Sequence, residues 1–246
     1  MTGPSPALAV HRLSFRYGKT PTLDSLSFDV CSGVVTILLG LNGSGKTTLF
    51  SLLTRLFAPD SGRIEILGMD LHQTGSSALR HVGIVFQQTT LDLDLSVAQN
   101  LLYFAALQGM GRKEAVLRMT EELEALDLAD RLDHKVRTLN GGHRRRLEIA
   151  RALMHQPSLL LLDEPTVGLD IDARKSLVAQ LHDLVRRNDI ALLWATHLID
   201  EVREDDTLLI LDKGRLLAAG AAGELVKQSG KADLVEAFAY YRTAKA

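Results

Sequence analysis

Residues 34–48 read VVTILLGLNGSGKTT, a strand pattern running straight into a loop pattern. The first six residues are an almost unbroken apolar, β-branched run, as expected for a strand buried on both faces of a parallel sheet. Gly40 ends that run, and GLNGSGKTT then fits the spacing G-x-x-x-x-G-K-[ST]. Gly40, Gly43 and Gly45 allow the backbone to curl until its N–H groups, with those of Asn42 and Ser44, surround one point, and a helix opening near Lys46 adds its own free donors. That is a phosphate-binding shape. Lys46 supplies a charge for the outer phosphates, the Thr47 hydroxyl is a hard ligand for Mg²⁺, and Thr48 completes the turn. The alternative is a glycine-rich strand-to-helix turn with no ligand.

Outward from this loop the chain alternates. LSFRY (13–17) and LSFDV (26–30) place Leu13, Phe15 and Tyr17, then Leu26, Phe28 and Val30, on single faces of strands, with GKTPT between them as a turn. From Ser96 to about Leu128 leucines and methionines recur at helical spacing. After Pro157 short apolar strands return, LLLLD, IALLWAT and DTLLILD, separated by helical segments such as 173–187. This is a mainly parallel α/β sheet with a helical insertion in its middle. The last amphipathic stretch, KADLVEAFAYY, reads as a helix packing on its own domain.

Composition sets outer limits. The 246 residues are 46% hydrophobic and 24% charged with a net charge of −2, ordinary for a soluble domain and without a nucleic-acid footprint. Cys31 is alone, so no intrachain disulfide forms, which suits a reducing compartment. The N-terminal MTGPSPALAV lacks the basic segment and apolar run of a secretory leader, and LLLL (159–162) and IALLWA (190–195) are too short to span a bilayer.

LLLLDEP, residues 159–165, is a buried strand ending in two carboxylates. Beside a phosphate loop, Asp163 is the expected Mg²⁺ partner, and Glu164, one residue further, is placed to polarise an attacking water.

With these two motifs the chain resembles, over nearly its whole length, the ATP-hydrolysing subunit of an ATP-binding cassette (ABC) transporter. The resemblance extends to VFQQ (85–88), similar to the glutamine loop with Gln87 at Mg²⁺ and the attacking water. VGLD (167–170) is similar to the D-loop, with Asp170 facing a second cassette, and WATH (194–197) to the switch whose His197 meets the γ-phosphate. By the strand pattern Tyr17 shares the core face of Leu13 and Phe15; by the resemblance it stacks on adenine. The family implies a P-loop NTPase (RecA-like) α/β core with an N-terminal antiparallel β subdomain and an inserted α-helical subdomain. The chain would then be one nucleotide-binding domain, with residues 1–87 and 157–246 as core and 88–156 as the helical signature subdomain. ATP and Mg²⁺ are the implied cofactors. The implied partners are integral membrane permease subunits and a second cassette, identical or different, with no nucleic acid; the implied place is the cytoplasmic face of the membrane. The run after the glutamine loop most resembles short single cassettes that serve drug, polysaccharide or cytochrome-maturation-type exporters.

One segment departs from the family. TLNGGHRRRLEIARAL, residues 138–153, stands where the signature L-S-G-G-Q is usual. Gly141 and Gly142 are kept, but Asn140 replaces serine and His143 replaces glutamine. By the resemblance these four residues meet the γ-phosphate held by the opposite subunit. Asn140 is a good helix N-cap, yet its amide also presents an acceptor to phosphate oxygens. An anion beside His143 favours the imidazolium. Arg144, Arg145 and Arg146 crowd a helix start, where cations are disfavoured, so they call either for that external anion or for local partners such as Glu148. Three functional readings follow: a transport-coupled ATPase; the regulatory half of a heterodimer with impaired hydrolysis; or a soluble cassette protein without a transporter. Glu164, Gln87 and His197 together favour the first.

Overall fold

The computed structural model describes residues 6–244. The first five residues of the stretch read for a leader lie outside the described residues, as do 245–246. In chain order the elements are β1 (Leu8–Tyr17), β2 (Thr20–Val30), β3 (Val35–Leu39), α1 (Lys46–Leu53), β4 (Ser61–Ile66), β5 (Met69–Asp70), the short α2 (Leu71–Thr74) and α3 (Ser76–Leu79), and β6 (Val82–Val85). Then come α4 (Val97–Leu107), α5 (Arg112–Ala125), α6 (Gly141–Leu153), β7 (Leu159–Asp163) and α7 (Ile171–Asn188). β8 (Ala191–Thr196), β9 (Thr207–Asp212), β10 (Arg215–Ala221), α8 (Ala222–Ser229) and α9 (Leu234–Ala244) close the chain.

These strands form two sheets. One is antiparallel, in the order β2-β1-β4-β5. The other runs β10-β9-β3-β8-β7-β6, parallel throughout except for the β10 edge. Every residue of β3, β7 and β8 is buried, which explains their unbroken apolar sequences: both faces of this sheet are covered. Alternate residues feed two cores. Ile37, Leu39, Leu160, Leu162, Leu192 and Trp194 pack with the helical insertion and α7, whereas Leu38, Leu159, Leu161 and Leu193 pack with β1, β2 and α1. The sheet is therefore the middle layer, and its strand ends come together at one edge.

The structure adjusts several sequence-based boundaries. The early strands are longer than the alternation shows, because the register between them slips at three places, with Arg12 and Ser25 in positive-φ conformations. The turn between them narrows to residues 18–19. Leu13 and Phe15 are buried in the core, but Tyr17, at the end of β1, is 47% exposed. The helical insertion is broken after Leu107, where Gly109 takes a left-handed conformation (φ 77°). Ser96 starts α4 with a reciprocal cap: its hydroxyl accepts from the Gln99 N–H while the Gln99 side chain accepts from the Ser96 N–H. At the C-terminus Ala237, Phe238 and Tyr241 of α9 are buried on one face, and the Tyr241 hydroxyl donates to the Leu225 carbonyl.

Candidate functional site

Residues 40–45 connect β3 to α1 under tight steric control. A Cβ on Gly40 would lie 2.4 Å from Ser44 Oγ and 2.5 Å from the Leu211 carbonyl oxygen. Gly45 has φ 112°, and a Cβ there would meet Leu23 at 2.6 Å. The loop thus takes a path that only glycine follows. α1 begins without a side-chain cap and without an acidic residue in its first turn, so its first N–H groups and their partial positive charge stay available to an anion. The Lys46 ammonium is buried and folds back on the loop, donating to the Gly40 carbonyl (2.8 Å) and the Leu41 carbonyl (3.3 Å).

Three other strand ends meet this loop. Asp163 closes β7, is buried, and has an Oδ1 with no hydrogen-bond partner. Burial first, and then the neighbouring Glu164 charge, push its carboxyl up to about 6, against the opposing pull of Lys46 and of the nearby Thr47 hydroxyl. Glu164 turns the chain sharply in a left-handed conformation (φ 48°), held by its N–H donating to the Ala195 carbonyl. Its Oε1 lies 3.3 Å from Lys46 Nζ and 3.3 Å from His197 Nδ1, and its Oε2 accepts from Gln87 Nε2 at 3.2 Å. Lys46, Gln87 and His197, from three separate segments, converge on this one carboxylate.

Sequence reasoning missed the layer behind it. Glu201 is buried, and both of its oxygens are taken by hydroxyls: Thr166, two residues past Glu164, and Thr196, next to His197, at 2.5 Å for the latter. Burial pushes the Glu201 carboxyl upward, while the two hydroxyl donors oppose that shift. Neither acid of LIDEV, Asp200 or Glu201, carries a local signal for this role.

The start of α6 stands apart. Asn140 caps the helix by accepting the His143 N–H at 2.8 Å. Its acceptor end is thereby engaged with its own helix. Gly141 and Gly142 lie against residues 168–173, where Asp170 caps α7 through the Ala173 N–H. Among the described residues no hydrogen bond or ion pair joins 140–143 to the phosphate loop. The arginines are satisfied inside the chain, so an external anion is not what they need. Arg144 donates to the Val136 and Arg137 carbonyls. Arg145 pairs with Glu148, and Arg146 binds Gln180 and Ser176. In the chain by itself, partial burial and then the charges of Arg131 and Arg146 hold the His143 imidazole below the ordinary 6.5, on the neutral side.

Residues 23–167, which include the phosphate loop, Gln87, Glu164 and the α6 start, match the family described as ABC transporter. The chain belongs to that family. It is 38% identical to the daunorubicin resistance ATP-binding protein DrrA3 of Streptomyces coeruleorubidus over 91% of this chain and 71% of that one. It is also 38% identical to the Nod factor export ATP-binding protein I of Ralstonia nicotianae, over 96% and 74% respectively. Two solved structures superpose with TM-score 0.84: an ATP-binding subunit of an ABC transporter (26% identity, 96% of this chain and 99% of that one) and cbiO1 of Clostridium perfringens (28%, 92% of each), part of the ABC transporter complex cbiONQ.

The fold is accordingly that of a P-loop NTPase, and the chain is the ATP-binding, ATP-hydrolysing subunit of an ABC transporter. In this ABC ATPase Tyr17 sits edge-on to Phe15 (4.9 Å between ring centroids) and to Phe57 (5.6 Å), which leaves one side of its ring exposed.

Proposed function

We propose that this subunit powers export by closing head to tail with a second cassette around two Mg²⁺·ATP, driving separate integral membrane permease subunits from the cytoplasmic face. The convergence of Lys46, Gln87 and His197 on the Glu164 carboxylate, next to a phosphate-binding loop, carries this reading. Glu164 takes the proton of the attacking water, whose oxygen bonds to the γ-phosphorus as the bond to ADP breaks. Gln87 and His197 orient that carboxylate. Lys46 and the N–H groups of residues 40–48, with Asn42, Gly43, Ser44 and Thr48 lining the loop, hold the phosphates.

The buried, unpartnered oxygens of Ser44 and Asp163, with the Thr47 hydroxyl beside Asp163, form a hard-oxygen set that fits Mg²⁺. Asp163, Thr47 and Gln87 would hold the ion, which neutralises charge on the transferring phosphoryl group. The half-exposed Tyr17 ring supports stacking on adenine. Asn140, Gly141, Gly142 and His143 meet the γ-phosphate bound by the partner cassette, and Asp170 lies beside them at the same junction. Residues 88–156 form the helical signature subdomain, and the remainder forms the core.

Export is read from the two relatives, whose names state drug resistance and Nod factor export. No helix among the described residues is long and apolar enough to cross a membrane, in keeping with permease spans on other chains. Two measurements test the reading. Glu164→Gln lowers steady-state ATPase by about 100-fold or more while ATP-driven dimerisation persists; turnover near wild type would remove Glu164 as the base. Purification from native membranes recovers an integral membrane partner, whereas recovery with RNA or DNA alone would sink the transport assignment.

A further inference from the structure

Helix α6 does more than present its N-terminus. At three-residue spacing on one face it carries Arg145, Glu148 and Arg151, and all three reach the segment 86–90 that leads out of β6 and contains Gln87. Arg145 donates to the Phe86 carbonyl (2.8 Å), the Gln87 carbonyl (3.0 Å) and Glu148 Oε2 (2.8 Å). Glu148 Oε1 accepts the Thr90 N–H at 2.9 Å, and Arg151 donates to the Thr90 carbonyl at 2.9 Å. Arg145 and Glu148 are both buried. A buried ion pair is weak evidence for stability, because desolvation consumes most of its Coulombic gain. Here the planar guanidinium spends its fork on two consecutive carbonyls, which a lysine, with its single point charge, cannot match. Arg144 and Arg146 bond elsewhere, so the contact is specific to this face.

We propose that Arg145 is a positioning residue for Gln87: with Glu148 it clamps residues 86–90 to α6, so that the Gln87 amide is held at the Glu164 carboxylate. Because α6 is one continuous helix from Gly141, the same clamp links the helix start that meets the partner's nucleotide to the hydrolytic cluster of its own subunit. The inference rests on the role of Gln87 given above, and the experiment separates the two.

ATPase rates and ATP affinity are measured for Arg145→Gln, Arg145→Lys, Gln87→Ala and the double variant Arg145→Gln/Gln87→Ala. Arg145→Gln is expected to lower kcat about 10-fold with KM for ATP changed less than about 2-fold, since the phosphate loop is untouched. Arg145→Lys restores only part of that loss. In the Gln87→Ala background the Arg145 change costs less than about 2-fold, because its effect runs through Gln87. Full multiplication of the two losses, or an unchanged kcat with a lowered Tm, would overturn the positioning role and leave a purely structural clamp. An unchanged kcat in Gln87→Ala alone would instead defeat the role of Gln87. Should Arg145→Gln fail to fold, Glu148→Gln, which keeps shape and one acceptor, is put through the same comparison with the same deciding outcomes.

Discussion

Two helices of this protein open on glycine-rich turns, and they treat positive charge in opposite ways. α1 starts at Gly45 with no side-chain cap, one buried lysine, and neighbouring oxygens of Ser44 and Asp163 that lack partners. α6 starts at Asn140 with a capping side chain and three consecutive arginines, each already engaged by carbonyls, a carboxylate or neutral side chains. The three arginine side chains of α6 are already paired within the chain, whereas the lysine helix keeps uncapped N–H groups and unpaired oxygens around it. Anion binding follows from which polar groups remain unpaired at a helix start, not from the number of cations nearby.

The largest effect tests the α1 start. Gly40→Ala puts a methyl group 2.4 Å from Ser44 Oγ and 2.5 Å from a backbone carbonyl, so the loop must move. ATP affinity, measured by equilibrium binding, is expected to fall about 100-fold, or roughly 3 kcal/mol; wild-type affinity would show that the loop path is not what binds phosphate.

At the α6 start, Asn140→Ser with His143→Gln exchanges one good cap for another. ATPase activity should stay at or above the wild-type rate. A loss of about 10-fold would show that the altered start is matched to a change elsewhere.

A smaller effect comes from pH. His143 is held neutral in the free chain by partial burial and the charges of Arg131 and Arg146, and a γ-phosphate placed beside it favours the imidazolium. Closure therefore takes up protons, and ATP-driven dimerisation of Glu164→Gln should strengthen as pH falls from 7.5 towards 6, by about 3-fold. Analytical ultracentrifugation at the two pH values reads this, and adding His143→Gln should remove that strengthening. The same pH profile in Glu164→Gln with and without His143→Gln would place His143 away from the phosphate.

The smallest effect belongs to Arg146, whose guanidinium binds Gln180 and Ser176 on α7. Arg146→Ala should lower Tm by about 2 °C and leave the ATPase rate within about 2-fold. A 10-fold drop in rate without loss of stability would mean that this arginine serves an anion after all.

Much of the site was legible in the primary structure. Lys46, Glu164, Gln87 and His197, each picked out by a motif, converge in one place, and Asn140 caps α6 as its residue type predicts. The partners of the arginine run were not legible. Arg146 meets a residue 34 positions away, and Arg145 meets one 59 positions away. Nor does LIDEV announce that Glu201 will hold Thr166, 35 residues earlier. Tyr17 has the alternation of a core residue and its ring meets Phe15, yet it lies at the last position of β1 and is half exposed.

The sequence by itself determined what acts over a few residues: which backbone only glycine can follow, where a helix starts, and which strands are apolar on both faces. Those features depend on local dihedrals, caps and periodicity. The tertiary structure decided which charge answers which. The parallel order β3-β8-β7-β6 sets chain-distant strand ends side by side. A buried cation takes whatever acceptor that packing brings within reach, and its sequence neighbours carry no record of it.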